Sequence, residues 1–72
     1  MADQVVDARG LSCPEPVLLA KQAIESIAHG TVEVLVETTT SRDNVTRMAK
    51  HLGCSVSAEE VGNEFRLTIT KG

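Results

Sequence analysis

Apolar residues along this chain keep changing their repeat, and the order of those changes leaves few folds open. In TVEVLVE, residues 31–37, Val32, Val34 and Val36 alternate with Thr31, Glu33 and Leu35. One face is fully apolar and the other partly so, the period-two signature of a strand. QVVD, residues 4–7, is a short β-branched run that reads as a strand, ended by the turn-prone ARG of residues 8–10. Between these strands Val17, Ala20, Ile24, Ile27 and Ala28 recur at helical spacing, with Lys21, Gln22, Glu25 and Ser26 opposite. That pattern predicts an amphipathic helix closed by His29 and Gly30. After the polar TTTS tract, Val45, Met48, Ala49 and Leu52 follow i, i+3, i+4, i+7 spacing, with Ser41 as the expected N-cap and Gly53 as the stop. SVSAEEV and EFRLTIT then flank Gly62 and Asn63, a pair suited to a tight hairpin, and Phe65, Leu67 and Ile69 point one way.

Two helices with one apolar face each can cover only one side of a four-stranded sheet. The expected fold is therefore an α/β two-layer sandwich of order β-α-β-α-β-β, with both helices on one face of a mixed sheet. The first two strands should run parallel and the last two antiparallel. Seventy-two residues make one domain, residues 1–72. Its 42% apolar content is almost wholly aliphatic, Phe65 being the one aromatic, and two cysteines cannot form a disulfide framework. A formal charge of −3 gives no electrostatic ground for holding a nucleic acid directly. The longest apolar run, Val17 to Ala20, falls far short of the roughly 20 residues that span a bilayer, and MADQVVDARG has no signal-peptide pattern. The chain is accordingly read as cytoplasmic, with no membrane partner and with Cys13 and Cys54 as free thiols.

GLSCPEP, residues 10–16, sets a cysteine between a glycine and two prolines. Pro14 pushes Cys13 out of the α region and is itself favoured at the first helical position, so Cys13 reads as the N-cap. Pro16 falls within the first turn, where a missing N–H breaks no helical bond. At an N-cap a sulfur lies beside unpaired N–H groups and the positive end of the helix dipole, which favours an anion by about 0.3–1 kcal/mol. A thiolate, the reactive form, is therefore promoted modestly. Arg9 would help if the Gly10 turn folds it back, whereas Glu15 opposes a second negative charge. Lone cysteines are more often packed than reactive. An N-cap after a glycine-containing loop is a surface position usually held by Ser, Asp, Asn or Thr, so an apolar filler has little reason to be there.

DARGLSCPEPVLLAKQAI, with Asp7, Gly10, Leu11, Cys13, Pro14, Pro16 and Lys21 in place, resembles the Cys-Pro-x-Pro signature of the TusA/SirA/YedF family of small sulfur carriers. Length, element order and Gly30 before the second strand extend that resemblance over the whole chain. It implies that Cys13 carries a persulfide, taken from a cysteine desulfurase or rhodanese-like donor and passed to a sulfur-accepting protein. No cofactor or metal is then called for, and the protein is a co-substrate more than a self-sufficient enzyme. Many carriers of the tRNA-thiolation branch have an Asp-Asp-Pro type stretch after the second strand, where this chain has ETTTSRDNVTRMAK. NVTRMAKHLG looks more like the TusA-like domain of YedF-type proteins linked to selenium metabolism, often followed by a DsrE-like domain. Sulfur and selenium, and a stand-alone or an excised domain, both stay open.

Around Cys13, Gly10, Pro14, Glu15, Pro16 and Asp7 are the expected supports, Asp7 by accepting backbone N–H groups of the loop. Arg9, Lys21 and Arg47 are candidate docking residues for an acidic partner, against the blander reading of a solvated basic face. Cys54 is expected to be partly buried at a helix-to-strand corner. His51 and Cys54 supply fewer ligands than a structural zinc site requires. Two other functions compete: a binding module for RNA or protein without thiol chemistry, and a thiol-redox protein using Cys13 and Cys54. Few basic residues and no stacking aromatics weigh against the first, and the lack of a C-x-x-C against the second.

Overall fold

A computed structural model describes residues 4–11 and 15–72, in the order β1 (Gln4–Asp7), α1 (Glu15–Glu25), β2 (Gly30–Val36), α2 (Thr39–His51), β3 (Ser55–Val61) and β4 (Glu64–Lys71). The sheet runs β1-β2-β4-β3. β1 pairs parallel with β2, from Gln4 opposite Val32 to Asp7 opposite Leu35, and β4 is antiparallel to both β2 and β3. This is the expected mixed sheet, with α1 packed over β1 and β2 and α2 over β4 and β3.

The register explains the core. Val32 faces Ile69 and Val34 faces Leu67, and all four are fully buried against Ala20 and Ile24 of α1 and Val45 and Ala49 of α2. Each such aliphatic side chain contributes about 1.5–3 kcal/mol by leaving water. Period-two alternation sends Val5, Glu33, Leu35, Arg66 and Thr68 to the opposite face, which no helix covers; Val5 is 63% exposed there, and Arg66 pairs with Glu33 and Glu59. β3 forms one edge and is exposed throughout except at Val56.

Local chemistry accounts for the ends of the elements. Gly62 has φ +62° while no non-glycine residue among those described has positive φ, so the Gly62–Asn63 turn matches type II′, with glycine at its first central position. Gly53, at φ +83°, ends α2 as expected. Three expectations are corrected. The cap of α2 is Thr38, whose Oγ1 accepts the Ser41 N–H at 3.0 Å, and Ser41 lies a turn inside, buried. α1 stops at Glu25 and not at Ala28: Ile27 N–H reaches only Ile24 O, three residues back, Ser26 Oγ donates to Ala23 O, and Lys71 Nζ donates to the Ile24 and Ile27 carbonyls at 2.9 and 2.8 Å. A cation at the C-terminal carbonyls offsets the dipole and satisfies acceptors left without helical partners. Leu52, the last member of the α2 stripe, becomes the C-cap and is 39% exposed. No helix among the described residues is long and apolar enough to cross a membrane.

Candidate functional site

The segment that leads from β1 toward Cys13 is fixed on both its apolar and its polar side. Ala8 is 2% exposed and its N–H extends the β1–β2 ladder by donating to Leu35 O at 2.9 Å. Gly10 follows at φ +79°, a left-handed conformation that a side chain would strain, and Leu11 returns to the core with its N–H directed at Ala8 O. The Glu37 carboxylate lies beside Gly10, 3.8 Å from where a Cβ would stand. Beyond Pro14, Glu15 is exposed in the first turn of α1 and Pro16 is fully buried.

Polar anchoring comes from Arg9. Its Nε and Nη2 donate to the two oxygens of Asp7, each at 2.8 Å, and its backbone N–H donates to Asp7 Oδ1 at 3.1 Å. Its Nη1 reaches Glu64 at 3.2 and 3.3 Å. Exposed ion pairs usually contribute little, but a bidentate fork held within a charge network is the favourable case. Hydrogen bonding from the Arg9 side chain, and then from its backbone, holds the Asp7 carboxyl down at about 2. Asp7, followed by Glu64, pushes the Arg9 guanidinium upward in turn. One cation thus serves two carboxylates, and the cluster carries a net negative charge.

Asp7, Arg9, Gly10, Glu15 and Pro16 therefore gather where β1 ends and α1 begins. Cys13 and Pro14, the expected sulfur-bearing residue and helix starter, lie outside the described residues. Lys21 and Arg47 are exposed on α1 and α2, and no carboxylate among the described residues pairs with either. Arg42 differs, pairing with Asp43 and lying 4.9 Å from the Phe65 ring centre. Glu64 was not anticipated. Its place follows from strand order: β4 lies beside β2, and period two sets Glu64 on the same face as Arg66, which stands opposite Leu35 as Asp7 does. Sequence alone does not supply that order.

Cys54 is 7% exposed, belongs to the core cluster, and donates its backbone N–H to Ala49 O at 3.0 Å. Among the described residues no three of His, Cys, Asp and Glu come together as a metal site. A groove of ≈ 320 Å³ between β1 and α1, lined by Gln4, Val6, Leu19, Gln22, Ala23 and Ser26, includes none of the expected site residues.

Comparison with known proteins agrees with this architecture. The family model described as Sulfurtransferase TusA matches residues 4–71. A Methanocaldococcus jannaschii protein whose name as a sulfur carrier is provisional is 36% identical over 73 residues, covering 99% of this chain and 97% of its own. The sulfur carrier protein TusA of Allochromatium vinosum is 34% identical, covering 96% and 93%. The crystal structure of a SirA-like protein from Desulfitobacterium hafniense superposes with a TM-score of 0.89 at 36% identity, covering 96% of this chain and 97% of that one. With a family model spanning all six elements and a solved relative of the same fold, this chain belongs to the Sulfurtransferase TusA family.

Proposed function

We propose that this protein is a sulfur carrier that takes a sulfane sulfur as a persulfide on Cys13 and hands it to a partner protein. The observation that carries the reading is the family match over residues 4–71, which spans the Cys-Pro-x-Pro motif. Relatives named as sulfur carriers support it. The burial of Cys54 weighs against that thiol as the exchanging one.

The chemistry asks for no group the chain lacks. The Cys13 thiolate attacks the outer sulfur of a donor persulfide, the new S–S bond forms as the old one breaks, and the donor leaves as a thiolate. Sulfur moves at the sulfane level, so no external oxidant or reductant enters. The acceptor's thiolate then repeats the attack on the outer sulfur of the Cys13 persulfide. Donor and acceptor are proteins, with a cysteine desulfurase or rhodanese-like enzyme supplying the sulfur. Arg9 is already engaged by Asp7 and Glu64, so of the three candidate docking residues Lys21 and Arg47 are left to meet an acidic partner.

Incubation with a cysteine desulfurase and cysteine should add one sulfur to the Cys13 peptide by mass spectrometry, removable by dithiothreitol. Cys13→Ser should abolish the adduct and Cys54→Ser should not. An unmodified Cys13 peptide, or a Cys13–Cys54 disulfide in its place, would refute the proposal.

A further inference from the structure

We propose that the sheet face left bare by the helices is a docking surface for a protein partner that presents lysine and arginine side chains. Period two sends one carboxylate from each strand to that face: Asp7 of β1, Glu33 of β2, Glu64 of β4 and Glu59 of β3. Two arginines lie among them, and each is shared. Arg66 stands opposite Glu59 and diagonal to Glu33 and pairs with both, while Arg9 pairs with Asp7 and Glu64. Two guanidinium groups against four carboxylates leave a surplus of two negative charges, spread across the whole width of the sheet. The four carboxylate side chains remain 28–58% exposed, so each keeps acceptor lone pairs for a second cation. On α2 the sign is opposite: Arg47 and Lys50 have no carboxylate partner among the described residues.

Shape and sign together select the occupant. Leu35 lies between Asp7 and Arg66, and Val5, 63% exposed, lies beside Glu33, so apolar contact is offered among the charges. A second copy stacked face to face would set like charges against like, and a nucleic acid would meet the same repulsion. A basic protein surface meets none. Four strands about 4.8 Å apart give a footprint of roughly 400 Å², the scale of a contact that forms and releases rather than a permanent one. This partner is distinct from the acidic one expected at Lys21 and Arg47, and its surface does not depend on Cys13.

Hexalysine serves as the probe, titrated into ¹⁵N-labelled protein at about 10 mM salt, where screening extends to about 30 Å. Amide shifts should move along β1, β2 and β4 and stay still along α2. Glu33→Gln combined with Glu59→Gln should weaken binding about fivefold. Glu25→Gln combined with Asp43→Asn removes as much charge from the helix layer and should change it by less than about twofold. Thr68→Lys keeps every ion pair and adds a cation opposite Glu33, so it should weaken binding as the first double does. Shifts centred on the helices, equal weakening by the two doubles, or a Thr68→Lys protein that binds like wild type would each overturn the proposal. A wild-type protein that sediments as a dimer, and loses the dimer in Thr68→Lys, would assign the face to a second copy and overturn it as well.

Discussion

Asp7 turns a flexible arginine into a fixed one. Its two oxygens take Nε and Nη2 of Arg9 and one of them the Arg9 backbone N–H as well, so charge and loop geometry are set by the same carboxylate. The thermodynamic trace of this is acidic. A carboxyl held at about 2 when folded, against an ordinary value of 3.8, adds stability above the ordinary value and loses it as pH falls through the folded one. Carbon-13 NMR titration should place the Asp7 carboxyl midpoint near 2, and Arg9→Ala should return it toward the ordinary value. The partnership of Asp7 with the loop was legible, because a short acidic residue ahead of a glycine turn has few other uses. Glu64 was not, since it stands 55 positions along the chain from Arg9 and only folding closes that distance.

Helix ends were harder to read than helix bodies. The apolar spacing that marked α2 survives in the structure at Val45 and Ala49, both fully buried. The cap did not follow from the sequence, because TTTS offers four consecutive hydroxyl residues and each could serve locally. Packing chose Thr38 by drawing Ser41 into the interior. Thr38→Ala should therefore cost about 1 kcal/mol in urea denaturation. Ser41→Ala removes no cap and should lose clearly less. For α1 the pattern ran on through Ile27 and Ala28, yet the helix stops at Glu25, and Lys71, on the last strand, takes the carbonyls of Ile24 and Ile27. No local window contains both partners of that contact.

At the scale of the molecule, the order of elements along the chain and the faces they bury were legible, whereas the strand order β1-β2-β4-β3 was not. Alternation in β2, helical spacing in α1 and α2, and the Gly62–Asn63 pair each excluded other arrangements, and the sheet faces then followed from period two. A domain of this size has roughly 4–11 kcal/mol of stability in all. Ile69→Ala, in the middle of the buried face, should remove about 2–5 kcal/mol of it, whereas Val5→Ala on the bare face should change it by less than about 0.5 kcal/mol, both by urea denaturation. β3 gives this small molecule one more property. Its outer rim carries a row of unmatched amides along seven residues, broken by no proline or lysine, and Glu59 and Glu60 supply its only charge. Those two glutamates act as a fence between copies, and a chain in which both became neutral would be primed to stack rim against rim into fibres.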